Sequence, residues 1–178
     1  MSHTHENRDD KVSLVEMGPR DGLQNETATL SLAQRLALIA HLAESGLQRI
    51  EVGAFVSPKK VPQMADSAAL FNALPRRGPT RYGALVPNLQ GLQAAVAARA
   101  DEIGLFTACS DGFTRANIGI SVEESLVRFA PLVQEARSLG IKVRGYLSTV
   151  IACPFDGPTR PKRVAALAER LLDLGCHE

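Results

Sequence analysis

Cysteine is scarce in this chain of 178 residues: only Cys109, Cys153 and Cys176 occur, far apart from one another. An odd count without zinc-type spacing argues against a disulfide framework and fits free thiols in a reducing cytoplasm. Each is read as a small apolar core residue rather than a nucleophile. An excess of charge of one sign is also missing. Lys and Arg number 20 against 19 Asp and Glu, a net charge of +1, so nothing calls for nucleic acid or an anionic membrane as partner. Long apolar runs are absent, and nothing approaches the roughly 20 residues of a bilayer span. Residues 1–10 are polar and charged, lack the apolar centre of a secretory signal, and read as a disordered lead-in. His3 and His5 belong to that tail, and a flexible polar segment accounts for them better than a metal site. No Gly-x-Gly-x-x-Gly follows the first strand-like run, which leaves a dinucleotide-binding fold without its signature.

What is present describes a soluble globular domain, with 45% apolar and 22% charged residues and enough length for one sizeable core. Strand-like and helix-like patterns alternate from Lys11 to the last residue without a linker or low-complexity break. Strands are expected at Lys11 to Met17, Arg49 to Phe55, Arg81 to Val86, Glu102 to Phe106 and Lys142 to Thr149. Helices are expected from Ser31 to Ser45, Met64 to Leu74, Leu89 to Ala98, Ser121 to Gly140, and Pro161 to Gly175. Ser31 is suited to cap the first helix and Gly46 to stop it. Ser121-Val122-Glu123-Glu124 has capping-box form, and Pro161 suits a first helical turn. A long loop is expected between the fourth strand and Gly119. Cys176-His177-Glu178 reads as the lead-in to a sixth strand. A period of roughly 30–40 residues is that of successive βα units, which build either an open parallel sheet or a closed barrel.

One stretch holds most of the chemistry. Gly18-Pro19-Arg20-Asp21-Gly22 follows the first strand pattern, with glycines that let the backbone turn and a proline that stiffens it. An adjacent cation and carboxylate at a strand end can hold a divalent metal beside an anionic, carbonyl-bearing substrate; an ordinary loop salt bridge is the alternative. Active residues of a (β/α)8 barrel stand at the carboxyl ends of strands, as Arg20 and Asp21 do here, which favours the barrel. Glu51 lies inside the apolar run Ile50-Glu51-Val52, where a lone buried carboxylate needs a partner. Arg20 or a metal-bound water could supply it, and a boundary ion pair with a surface Lys is equally compatible with the spacing. Glu16 poses the same question and is read as structural. Arg144, Tyr146 and Ser148 share one face of the fifth strand, and Val143, Gly145 and Leu147 the other. Arg144 is read as structural, with Tyr146 left open. Gln24 and Asn117, the latter placed in the loop after the fourth strand, could present amides to a substrate or be ordinary loop polarity.

The string Gly18-Pro19-Arg20-Asp21-Gly22-Leu23-Gln24-Asn25-Glu26 resembles the signature of the 3-hydroxy-3-methylglutaryl-CoA lyase family. These lyases belong to the barrel metallolyases related to isopropylmalate and homocitrate synthases. Ile50 to Met64 agrees, as do Val143-Arg144-Gly145-Tyr146 and Cys153-Pro154-Phe155-Asp156-Gly157. The resemblance runs from about Val12 to the last residue. It implies a (β/α)8 TIM barrel and an acyl-CoA substrate split by retro-Claisen cleavage. It also implies a divalent metal, Mg²⁺ or Mn²⁺, with Asp21 as ligand, and Arg20 and Glu51 as catalytic groups. Gln24, Asn117 and Tyr146 are the substrate-binding candidates.

The resemblance also exposes a shortfall. An eight-stranded barrel takes roughly 250 residues, whereas five strand patterns are present. The family's His-x-His pair, its following Asn, its later Asp and its mobile-loop Cys have no counterpart, since Cys153 does not match that loop. The expectation is therefore the N-terminal part of a longer enzyme, or a truncated reading frame, that is inactive by itself. Open sheet edges and an uncovered apolar face would then promote self-association. Thr27 stands where many relatives have Lys, and Ala54 where many have Ser, which bears on finer substrate contacts. A synthase-like relative acting on 2-oxo acids, or a non-catalytic half-barrel, are the competing readings.

Overall fold

Short apolar runs rich in Val, Ile, Leu and Ala form a four-stranded parallel sheet, β1 Arg49–Ala54, β2 Arg81–Leu85, β3 Glu102–Ala108 and β4 Lys142–Ser148, in the order β1-β2-β3-β4. The structure is a computed structural model that describes residues 12–76 and 78–178. Among the described residues six α-helices accompany the sheet: α1 Leu32–Glu44, α2 Ser67–Ala73, α3 Leu89–Ala97, α4 Asp111–Ile118, α5 Val122–Ser138 and α6 Pro161–Leu174. A small antiparallel hairpin, β5 Ala152–Cys153 with β6 Gly157–Pro158, follows β4. Sheet order equals chain order, the pattern of successive βα units, and together they form a partial (β/α) barrel.

Local chemistry explains where the helices begin. The Ser31 hydroxyl accepts the Gln34 N–H, and the Gln34 side chain accepts the Ser31 N–H at 2.9 Å, a complete capping box for α1. Ser121 and Glu124 do the same for α5. Gly46, at φ +94°, takes the chain out of α1 into β1 in the left-handed conformation that glycine tolerates.

The apolar core lies between the sheet and its helices. Ile50, Val52, Tyr82, Ile103, Leu105 and Val143 face Ile39, Phe71, Leu92, Leu132 and Leu167. The opposite, concave face carries Glu51, Glu102, Arg144 and Tyr146. That face mixes charge with apolar groups, since Leu85 and Phe106 line the same cleft as Arg144 and Tyr146. A β-bulge in β1 matters here. Glu51 pairs with Gly83, but Gly53 already pairs with Ala84. The extra residue resets the alternation, so that Glu51 faces the concave side while Ala54, three positions on, packs there with Leu85 and Met64.

Several expectations need correction. Of the first expected strand, Lys11 lies outside the described residues, and in the rest only Glu16 pairs, through an isolated parallel bridge to Ile50. The single helix expected from Met64 to Leu74 is a 3-10 turn, Pro62–Met64, and a separate α2. The break falls at Asp66, whose carboxylate is held by the buried Arg35. Most of the long loop before Gly119 is helix α4, fixed from outside: Asp111 accepts the Val122 N–H and Asp156 the Gly112 N–H. His177 and Glu178 do run alongside β4, with the His177 N–H on the Val143 carbonyl and the Gly145 N–H on the Glu178 carbonyl, both at 2.8 Å.

Candidate active site

The Gly18–Gly22 stretch is one turn of π-helix, not the open loop that its glycines suggest. The Leu23 N–H reaches back five residues to the Gly18 carbonyl, and the Asp21 N–H bonds the Met17 carbonyl at 2.7 Å. Such single wide turns recur at functional sites, because they aim a side chain that a regular helix would turn away. Glu16 anchors the turn. Its carboxylate accepts the Gly18 N–H at 2.5 Å, and its backbone pairs on both sides with β1, through Arg49 O and Glu51 N. A Cβ at Gly18 would lie 2.8 Å from the Glu16 carboxylate, which would have to swing away from the Gly18 N–H to admit it.

The turn presents Arg20 to the concave face. Arg20 is 6% exposed and Glu51 3%, and the Arg20 Nε donates to Glu51 Oε1. Arg20 Nη1 donates to Asp21 Oδ1 at 2.6 Å, and Asp21 itself is exposed. The Tyr146 hydroxyl donates to the second Glu51 oxygen at 2.6 Å. Burial, and then the neighbouring Glu51 charge, push the Tyr146 phenol well above its ordinary pKa, so it stays protonated as a donor. Both Glu51 oxygens are therefore engaged. Nη2 of Arg20 takes no hydrogen bond among the described residues and stays available to a ligand.

Arg20, Asp21 and Tyr146 line an open cleft of about 590 Å³, together with Gln24, Asn117, Arg144 and Ser148. The sequence-predicted residues thus converge, with Arg20, Asp21, Gln24, Asn117 and Tyr146 lining the cleft and Glu51 directly behind Arg20. Asn117 belongs to the last turn of α4, not to a loop, and its side-chain N–H bonds the Phe113 carbonyl at 3.0 Å. Arg144 pairs with Glu178, and more distantly with Glu102 at 3.7 Å. Glu102 and Glu178 also hold Arg49, at 2.5 Å and 2.8 Å, so Arg144 closes an ionic lattice across the amino ends of the strands. Sequence reasoning missed two contributors. Gly104 on β3 leaves the slot in which Tyr146 and Glu51 meet, since a Cβ there would lie 2.5 Å from the Tyr146 ring. Met17 places its sulfur 3.8 Å from the Tyr146 hydroxyl. A glycine inside an apolar strand pattern was the one signal available for the first.

These residues alone do not make a metal site. Asp21 offers a single exposed carboxylate with one oxygen already tied to Arg20. Among the described residues no three His, Cys, Asp or Glu side chains gather in a way that could hold an ion. One hard oxygen ligand does not make a divalent-cation site.

A partial (β/α) barrel with a buried Arg–Glu–Tyr chain opening onto a cleft is the arrangement of a barrel enzyme. Residues 11–178 match the HMGL-like family. Hydroxymethylglutaryl-CoA lyase of Pseudomonas mevalonii is 50% identical over 167 residues, 94% of this chain and 56% of the relative. The 3-hydroxy-3-isohexenylglutaryl-CoA/hydroxy-methylglutaryl-CoA lyase of Pseudomonas aeruginosa is 47% identical over 168 residues, 94% of this chain and 56% of the relative. The crystal structure of the HMG-CoA lyase from Brucella melitensis superposes with a TM-score of 0.92 at 48% identity, covering 94% of this chain and 59% of that one. The chain belongs to the hydroxymethylglutaryl-CoA lyase family of carbon–carbon lyases. It spans about half the length of the curated relatives it matches.

Proposed function

We propose that the chain carries part of the active site for cleaving 3-hydroxy-3-methylglutaryl-CoA to acetoacetate and acetyl-CoA. In this retro-Claisen reaction a base takes the proton of the tertiary hydroxyl and the C–C bond breaks. The resulting acetyl-CoA enolate is then protonated. Negative charge grows on the thioester oxygen as the bond breaks, and a preorganised cation there lowers the barrier. Arg20 suits this role. Its Nε and Nη1 are committed to Glu51 and Asp21, which fixes the plane of the guanidinium and leaves Nη2 for the thioester oxygen. Glu51 and Tyr146 hold that plane from behind. Gln24 and Asn117, on the cleft wall, are assigned to substrate polar groups.

Asp21 is assigned as the one ligand this chain contributes to the divalent cation of the family, Mg²⁺ or Mn²⁺. When bound, such a cation orients hydroxyl and carboxylate oxygens of the substrate. With one ligand the isolated 178-residue chain is expected to bind the ion weakly and to be inactive. The reading also places the protein in the cytoplasm, supported by three buried free cysteines. Self-association through the sheet edges, which Glu16 beside β1 and His177 and Glu178 beside β4 cover only in part, is proposed as well, and a compact monomer in sedimentation velocity would refute it.

The observation that carries the main reading is the buried Arg20–Glu51 pair opening onto the cleft. Adding the part of the Pseudomonas mevalonii lyase that this chain does not match tests it. The pair of polypeptides should release acetyl-CoA from 3-hydroxy-3-methylglutaryl-CoA with Mg²⁺, neither should do so alone, and Arg20→Gln should abolish release. Turnover by the chain alone would refute its predicted inactivity. Reaction with 2-oxo acids and acetyl-CoA in its place would favour the synthase-like alternative. The acyl group is open at the same level, because the Pseudomonas aeruginosa relative is named for a longer, isohexenyl-bearing substrate as well.

A further inference from the structure

We infer that Tyr146 is a positioning residue, which fixes the Arg20 guanidinium by holding the far side of the Glu51 carboxylate. Its significance for catalysis rests on the reading of Arg20 given above. Glu51 is nearly inaccessible to water, so each of its oxygens must find its donor within the protein. Arg20 Nε serves Oε1, and the Tyr146 hydroxyl at 2.6 Å serves Oε2. A carboxylate held at one oxygen can rotate about its terminal bond, whereas one held at both cannot. The guanidinium bonded to the first oxygen inherits that restriction.

The neighbouring strand is shaped for this contact. At Gly104 a Cβ would lie 2.5 Å from Tyr146 Cε2 and 3.0 Å from Glu51 Oε2, so any side chain there would push the phenol away from the carboxylate. Gly83, on the adjacent strand, has no such relation, since its nearest neighbour would be the Glu102 Cγ at 3.2 Å. Tyr146 on β4 reaches Glu51 on β1 over the two strands between them, β2 and β3, because Gly104 leaves the way open. The phenol stays a donor throughout, since its ionisation is suppressed by burial and by Glu51 itself.

The test uses the 178-residue chain labelled with ¹⁵N and reads the Nε–H signal of Arg20 by NMR, assigned by its loss in Arg20→Gln. In the unaltered chain this proton should be shifted downfield and exchange slowly with water. Tyr146→Phe keeps the ring and removes the donor; exchange of the Arg20 Nε–H should then speed up by about tenfold or more, as expected on losing a charge-assisted hydrogen bond. Gly104→Ala should reproduce the effect with the hydroxyl still present, and Gly83→Ala should not. An Arg20 signal unchanged in both Tyr146→Phe and Gly104→Ala, with circular dichroism showing both folded, overturns the inference. If Tyr146→Phe unfolds the chain, Gly104→Ala against Gly83→Ala decides alone. In the reconstituted lyase, Tyr146→Phe should lower kcat by about tenfold or more with KM nearly unchanged, because Arg20 acts on charge that develops after binding. An NMR effect without a kcat effect would leave the positioning intact and overturn the assigned role of Arg20.

Discussion

Removing the Glu51 carboxylate is the sharpest test of how this site is held together. In Glu51→Ala the Arg20 guanidinium keeps its burial but loses the partner of its Nε, and the Tyr146 hydroxyl loses its acceptor. Breaking one side of a buried ion pair typically costs about 3–5 kcal/mol, because the remaining charge is left uncompensated, and the exposed Asp21 still held by Nη1 compensates Arg20 only in part. The 6% exposure of Arg20 puts it in that class and not among surface pairs, which are worth roughly 0–1 kcal/mol. Taking ~4 kcal/mol and a urea m-value of ~2.5 kcal/mol/M for a chain of this size, the unfolding midpoint should fall by about 1.5 M. The double variant Arg20→Met with Glu51→Leu removes both charges and should lie closer to the unaltered protein than Glu51→Ala does, with a coupling of ~2 kcal/mol or more. Urea unfolding followed by circular dichroism gives both numbers. A midpoint shift under about 0.4 M, equivalent to ~1 kcal/mol, would mean that water solvates the pair, and the reasoning about a rigid guanidinium would fail.

Three further outcomes are expected. Gly91→Ala places a Cβ 2.7 Å from the Phe55 carbonyl oxygen, a backbone atom that cannot swing aside. Overpacking of about 1–3 kcal/mol should outweigh the ~1 kcal/mol that alanine gains over glycine in a helix, and thermal unfolding should shift down. Gly22→Ala, with nothing within 4 Å, should leave it nearly unchanged. Ser121→Ala breaks the α5 capping box and should cost about 1 kcal/mol, a drop of roughly 2–4 °C in Tm. The three thiols should separate in alkylation. Burial pushes Cys176 up to about 11 and also raises Cys109. Burial acts on Cys153 in the same direction but is outweighed by hydrogen bonds from the Ser110 hydroxyl and the Phe155 and Asp156 amides, which leave it below its ordinary value. A lowered pKa means more thiolate at a given pH, so at pH 8 mass spectrometry should find Cys153 modified first. Modification of Cys176 ahead of Cys153 in the folded chain would contradict this.

The sequence alone carried the order of the elements. Four of the five expected strands stand within two residues of their forecast ends, because near-continuous apolar runs bounded by glycine, proline or charge have few other ways to be buried. The capping serines of α1 and α5 were legible for a similar reason, since Ser31 with Gln34 and Ser121 with Glu124 are local partners three residues apart. Arg20, Asp21 and Glu51 stood out because charge at a strand end or inside a strand demands an explanation. What stayed hidden depends on groups far apart in the chain. Helix α4 is fixed by Asp156, 44 residues from Gly112, and the break before α2 by Arg35, 31 residues from Asp66. The bulge that turns Glu51 and Ala54 to one side is set by pairing with β2, and the slot at Gly104 matters only because Tyr146, 95 residues from Glu51, crosses over it. Local propensity and periodicity decide which segments become strands and helices. The partner that satisfies a buried charge is decided by packing between segments, and that information exists only once the sheet has formed.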